Sequence, residues 1–163
     1  MNDDVEYLDV EDLIDLATLL LGDPPPVRDV GLLAAAAARP RATAFGEYAY
    51  TEVWTKAAAL LESVVNNHAL VDGNKRLGWL ATAVFLELDD LRATTAANDD
   101  VYSLVMDVAG GHLGVEEIAQ RLRRLVGGSA DSGVPPRREE DALDECCSNR
   151  QPGGRQQHRG GQP

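Results

Sequence analysis

The sequence has few aromatic residues, few basic residues and almost no cysteine, and these scarcities exclude several classes of protein. The two cysteines, Cys146 and Cys147, are adjacent, so they cannot form the framework of a disulfide-rich secreted domain. The first residues do not resemble a secretory signal, and no apolar run is long enough to span a bilayer. These absences predict a protein of the reducing cytoplasm without a membrane partner.

Basic residues are outnumbered throughout the chain. There are 27 acidic against 15 basic residues, which gives a net charge of −12. Residues 1–126 hold 21 acids and 10 bases, so they carry −11 of that charge. Because phosphate backbones attract clustered Lys and Arg, this balance argues against direct binding of nucleic acid. Most of the carboxylates need no role beyond solubility.

The composition changes at residue 127. Residues 127–163 contain seven Gly and four Pro, with many Ser, Arg and Gln and almost no apolar residue. Such a segment cannot bury enough apolar surface to offset the entropy lost on ordering it. We therefore predict one domain over residues 1–126 and a disordered tail over residues 127–163.

The domain is expected to be all-α, because Ala, Leu and Glu abound and strand signals are scarce. Either Asp9 or Asp12 could cap the first helix. Residues 43–50, with Gly46 among aromatic residues, could form a loop or a small hairpin. The apolar spacing predicts helices over residues 13–20, 30–38, 52–67, 75–88, 99–108 and 115–126.

The helix predicted over residues 75–88 is apolar on nearly all sides. A helix without a polar face is typical of the centre of a bundle. Asn74 stands where an N-cap belongs, so residues 68–76 are expected at the N-terminal end of the most buried helix. The apolar residues of this helix are Leu77, Trp79, Leu80, Ala81, Val84, Phe85, Leu86 and Leu88.

Residues 68–76 read His-Ala-Leu-Val-Asp-Gly-Asn-Lys-Arg and combine a base, an acid, an amide and two cations. A helix N-terminus attracts phosphate through its free N–H groups and its partial positive charge. Gly73 lets a ligand approach the backbone closely, and Lys75 and Arg76 add positive charge in the first turn. The stretch therefore predicts a phosphate site.

Asp72 and His68 add the remaining groups that transfer of a phosphate requires. Asp72 would repel a phosphate unless a hard cation lay between them, and Mg²⁺ typically takes one or two carboxylates together with phosphate oxygens. Histidine is the residue type most often used as a general base, so His68 could accept the proton of a hydroxyl nucleophile. Each residue alone has an ordinary structural role. The combination predicts transfer of a phosphoryl or nucleotidyl group to a hydroxyl.

These residues resemble the motif of the Fic/Doc family, which reads approximately H-x-F-x-[DE]-[GA]-N-[GK]-R. Lys75 matches the Doc (death-on-curing) branch, because adenylylating Fic proteins have Gly at that position. Stretches at residues 28–33, 39–43, 56–61 and 115–119 also resemble Doc-type toxins. The matching motif residues are His68, Asp72, Gly73, Asn74 and Arg76.

The resemblance implies a compact Fic fold, with a flap at residues 45–50 that clamps the target, and ATP and Mg²⁺ as cofactors. It implies that His68 is the general base, that Asp72 is the metal ligand, and that Arg76 acts with them in catalysis. It also implies four phosphate-binding residues: Gly73, Asn74, Lys75 and Arg76.

Doc-type toxins are kinases that phosphorylate elongation factor Tu, and a Phd-like antitoxin holds them inactive, so the resemblance implies both partners. Two alternatives stay open: a Fic-type adenylyltransferase and a catalytically weak module that binds the antitoxin. Trp79 stands where adenylylating Fic proteins carry a second phosphate-binding Arg, and this argues with Lys75 against adenylylation. Leu70 replaces the Phe that normally anchors the loop.

Overall fold

Six α-helices form a bundle with one short hairpin in the computed structural model, which describes residues 5–127. The predicted all-α fold class is confirmed. Single turns of 3-10 helix occupy Arg39–Arg41 and Ala93–Thr95. The helices are α1 (Val10–Leu21), α2 (Val30–Ala38), α3 (Val53–Asn66), α4 (Asn74–Leu88), α5 (Asn98–Ala109) and α6 (Val115–Gly127), and the strands are β1 (Thr43–Ala44) and β2 (Glu47–Tyr48).

The centre of the bundle is α3 rather than α4, so the prediction on this point was wrong. α3 packs against α2, α4, α5 and α6, and every residue from Lys56 to Leu61 is buried. The consecutive alanines Ala57–Ala59 let neighbouring helices approach closely. α4 packs against α1, α3 and α5 and leaves Leu88 42% exposed. The apolar content of a helix does not decide how many neighbours cover it.

Asp9, rather than Asp12, is the N-cap of α1. Its side chain accepts hydrogen bonds from the backbone N–H groups of Glu11 and Asp12, at 2.8 and 2.9 Å. The Asp12 side chain accepts one in return from the N–H of Asp9, which completes a capping box. The backbone hydrogen bond from Asp12 is the main reason that the pKa of Asp9 is lowered.

Residues 43–48 form the hairpin, which was one of the two predicted possibilities. Thr43 pairs with Tyr48 and Ala44 pairs with Glu47. The two turn residues, Phe45 and Gly46, have φ angles of 55° and 86°, as the favoured two-residue turns of twisted hairpins require. Phe45 is fully exposed at the tip.

Of the predicted tail, residues 127–163, the structure describes only Gly127. α6 ends at Gly127, one residue past the predicted domain boundary. The predicted disorder of residues 128–163 lies outside the described residues. Across residues 5–127, no helix combines the length and the apolar character needed to cross a bilayer.

Candidate active site

The residues predicted for the site line one open cleft of about 520 Å³ at the N-terminal end of α4. Four of them, His68, Asp72, Lys75 and Arg76, are exposed to solvent. His68 and Asp72 therefore line the same cavity, as the kinase interpretation requires. The full set of predicted residues on this cleft is His68, Asp72, Gly73, Asn74, Lys75 and Arg76.

α4 begins at Asn74 with Gly73 as its N-cap, so the prediction of Asn74 as the cap was wrong by one residue. Gly73 has a φ angle of +90°, which is left-handed backbone that glycine adopts readily. A Cβ atom at this position would lie 2.8 Å from the side chain of Leu21 at the end of α1. In the part of the chain that the structure describes, no side chain caps the first turn of α4, so its N–H groups can face an anionic ligand.

The Asn74 side chain holds the preceding loop instead of capping the helix. Its Oδ1 accepts a hydrogen bond from the N–H of Leu70, and its Nδ2 donates to the Leu70 carbonyl, both at 2.9 Å. Leu70 is 1% exposed. Leu70 therefore anchors the loop in the core, and its two hydrogen bonds with the Asn74 side chain attach the loop to the start of α4. The phosphate contact predicted for Asn74 stays a prediction.

Asp72 and Arg76 form an exposed ion pair at the mouth of the cleft. Arg76 Nη2 lies 3.4 Å from Asp72 Oδ2, and the side chains are 59% and 87% exposed. An exposed pair of this kind contributes little to stability, so either side chain can turn toward a ligand at small cost. Within residues 5–127 no three His, Cys, Asp or Glu side chains form a metal cluster. A single carboxylate fits a Mg²⁺ ion that takes its other ligands from phosphate and water.

His68 lies between α3 and α4, and its backbone is left-handed, with a φ angle of +50°. This conformation costs a non-glycine residue about 1–2 kcal/mol. The His68 carbonyl oxygen accepts a hydrogen bond from the guanidinium of Arg28, which precedes α2. This contact could not be predicted from the sequence, because 40 residues separate the two partners.

An apolar wall of the cleft comes from α5, and no local pattern in the sequence predicts it. Tyr102 and Met106 lie one helical turn apart and are 67% and 41% exposed. In the sequence they are indistinguishable from core residues. Trp79, which was expected in the core, is half-buried and also lines the cleft. The α5 residues on the cleft are Asn98, Val101, Tyr102, Val105, Met106 and Ala109.

Comparison with known proteins agrees with this geometry. Residues 7–86 match the sequence model of the Fic/DOC family, and this segment includes the hairpin, the loop and nearly all of α4. The chain is also 46% identical over 120 residues to "Toxin Doc" of Mycolicibacterium smegmatis (strain ATCC 700084 / mc(2)155). That alignment covers 72% of this chain and 91% of the relative. The chain therefore belongs to the Fic/DOC family, as a Doc-type member.

Proposed function

We propose that the protein is a Doc-type toxin that transfers a phosphoryl group from ATP to a hydroxyl of a protein, with elongation factor Tu as the target. The observation that carries the proposal is that His68, Asp72, Lys75 and Arg76 line one cleft, at a helix N-terminus that no side chain of residues 5–127 caps. The printed name of the similar mycobacterial protein supports the toxin role.

Each polar residue of the cleft has a part in this proposal. ATP and Mg²⁺, when bound, supply the phosphoryl donor and the positive charge that offsets its oxygens. Asp72 would hold the metal, and Lys75 and Arg76 would hold phosphates together with the N–H groups of the first turn of α4. His68 would accept the proton of the acceptor hydroxyl, which is typically worth about 10²–10⁴ in rate.

Two residues favour phosphoryl transfer over adenylylation. Lys75 places an ammonium group in the first turn of α4, where it can reach a phosphate as a point charge. Trp79 lines the same cleft one turn later. Its indole cannot provide the positive charge that the corresponding Arg gives adenylylating Fic proteins. The nucleotide pose of those proteins is therefore less well supported here.

The proposal includes a partner and a compartment. A toxin that blocks translation must be restrained in its own cell, so we propose a Phd-like antitoxin as partner and the cytoplasm as the site of action. The name of the similar protein supports the first of these. The acidic balance of residues 1–126 gives no support for direct binding to nucleic acid.

Labelled ATP separates this proposal from its alternatives. We expect purified protein, with Mg²⁺, to move label from the γ position of ATP to elongation factor Tu, and to move none from the α position. His68→Ala should abolish labelling. His112→Ala, which changes an exposed histidine in the turn between α5 and α6, should not.

The other outcomes have distinct meanings. Transfer of the α label would replace the kinase by an adenylyltransferase. The binding module would be supported instead if the purified protein transfers no label and if cells tolerate its expression without the antitoxin. Growth arrest that disappears in His68→Ala rules that module out.

A further inference from the structure

We propose that Arg28 is a positioning residue, which holds the His68 backbone in the conformation that places the imidazole in the cleft. The inference rests on the proposed function, since it takes His68 to be the general base. It assigns a task to a side chain that precedes α2 and does not itself line the cleft.

The conformation of His68 needs support. Its φ angle of +50° is uncommon for a residue other than glycine. Strained backbone of this kind persists only where contacts from the surrounding structure hold it in place. The residues around His68 should therefore contain a clamp.

Most of that clamp is main chain from residues 26–29. The N–H groups of Arg28 and Asp29 both donate to the Ala69 carbonyl, at 2.8 and 3.1 Å. The N–H of Val71 donates to the Pro26 carbonyl at 2.9 Å. These bonds pair residues 26–29 with residues 69–71 as a short antiparallel bridge.

His68 lies one residue beyond this pairing, and the Arg28 side chain extends the clamp to it. The guanidinium donates to the His68 carbonyl oxygen, while the backbone N–H of the same Arg28 donates to the Ala69 carbonyl. One residue therefore holds two consecutive peptide units. On the other side of His68, Asn67 Nδ2 donates to the Leu32 carbonyl at 3.2 Å.

Within residues 5–127 the Arg28 guanidinium forms no ion pair, so no acidic side chain of that range competes for it. The neighbouring carboxylate of Asp29 is occupied as the N-cap of α2, where it accepts from the N–H of Leu32 at 3.1 Å. A charged donor on a carbonyl makes a stronger hydrogen bond than a neutral one. We therefore assign the Arg28 cation to this contact.

The location of Arg28 predicts which kinetic constant should change. Because it does not line the cleft, its removal should leave the KM for ATP within about twofold. Misplacing a reacting group by about 1 Å can cost about 10²-fold in rate. We expect Arg28→Ala to lower kcat by about 10- to 10²-fold. Arg28→Lys keeps one charged donor and should recover part of the loss.

The experiment compares Arg28→Ala, Arg28→Lys and the matched control Arg121→Ala in the full chain. Arg121 donates to Asp107 and thereby joins α6 to α5, away from the loop. Three properties are measured for each variant: steady-state kinetics with ATP and elongation factor Tu, thermal melting, and the carbon–proton NMR signal of the His68 ring. The expected result is a kcat loss and a displaced or broadened His68 signal in Arg28→Ala alone.

Three outcomes overturn the inference. One is a raised KM with unchanged kcat in Arg28→Ala, which would indicate direct contact with substrate. Another is an equal kcat loss in Arg28→Ala and Arg121→Ala, which would indicate a general loss of stability. The third is an unchanged His68 signal. If Arg28→Ala does not fold, the same readings on Arg28→Lys decide. The NMR signal tests the clamp even where the wild-type protein transfers no phosphate, so failure of the proposed function is recognised separately.

Discussion

The two walls of the cleft differ in their chemistry and in how the sequence encodes them. The polar wall is built from residues 68–76, which are contiguous and carry the charged groups that line the cleft among the described residues. The apolar wall comes from α5, with Tyr102 and Met106 one turn apart. The polar wall has the groups that chemistry requires, and the apolar wall has the surface that a bound molecule can cover.

The walls also differ in how they are held. The polar wall depends on unusual backbone, since His68 and Gly73 both have positive φ angles. Contacts from distant segments stabilise it, including the pairing with residues 26–29. The apolar wall is one face of a regular helix, whose other face is buried through Leu104 and Val108. Substitutions should therefore affect rate at the first wall and affinity at the second.

The largest difference between the walls is expected at His68. His68→Asn keeps a side chain that tolerates left-handed backbone but cannot accept the proton as imidazole does. We expect phosphoryl transfer to fall by about 10²–10⁴-fold, with thermal stability unchanged. Single-turnover transfer from ATP measures the rate, and melting by circular dichroism measures the stability. If His68→Asn kept the wild-type rate, His68 would not be the general base.

Asp72→Asn should have the next largest effect. The side chain is 87% exposed and its ion pair with Arg76 is weak, so folding should be unaffected. Loss of the metal-binding carboxylate should cost about 10²–10³-fold in rate, as removal of several kcal/mol of charge stabilisation implies. The measurement is the transfer rate across a Mg²⁺ titration. Activity that is independent of both Mg²⁺ and this substitution would contradict the assignment.

Gly73→Ala tests the backbone of the polar wall. The new Cβ would meet Leu21 at 2.8 Å in a left-handed conformation, so the free energy of unfolding should fall by about 1–3 kcal/mol. Gly111→Ala is the matched control, because Gly111 has a φ angle of +71° and open space around it. Urea denaturation of both variants measures the difference. Equal losses would show that the contact with Leu21 contributes nothing.

The smallest effect is expected on the apolar wall. Tyr102→Ala removes a side chain that is 67% exposed, so stability should not change. Its ring should contribute about 0.5–1.5 kcal/mol to binding, which corresponds to a rise in KM of roughly 2- to 13-fold with kcat unchanged. Separate KM values for ATP and for the protein substrate show which of them covers the wall. A fall in kcat would contradict the expectation that the apolar wall affects affinity and not rate.

Much of the fold could be predicted because its signals are local. Capping residues and apolar spacing placed all six helices to within a few residues, and Gly46 among aromatic residues allowed the hairpin. The choice of central helix was wrong because coverage depends on neighbours. Small residues let several helices approach α3, and nothing in the spacing of α4 shows that it has fewer neighbours.

The site was predicted only where its residues are contiguous. Residues 68–76 appear together in the chain, so their joint chemistry could be recognised. The cap at Gly73 was missed by one residue, because a left-handed glycine can begin a helix and Asn74 is drawn instead to Leu70. The side chain of Asn67 donates to the Leu32 carbonyl and that of Asn66 to the Val108 carbonyl, which ties the loop region to α2 and α5 through contacts that no local pattern shows.

The helical class, the acidic balance and the chemical groups of the loop can be predicted from the chain, because short-range periodicity and residue type express them directly. Only the packing of the folded domain places α5 on the cleft, α3 at the centre and the Arg28 side chain against His68. These contacts join residues tens of positions apart, and packing and hydrogen bonding select them only when the chain folds.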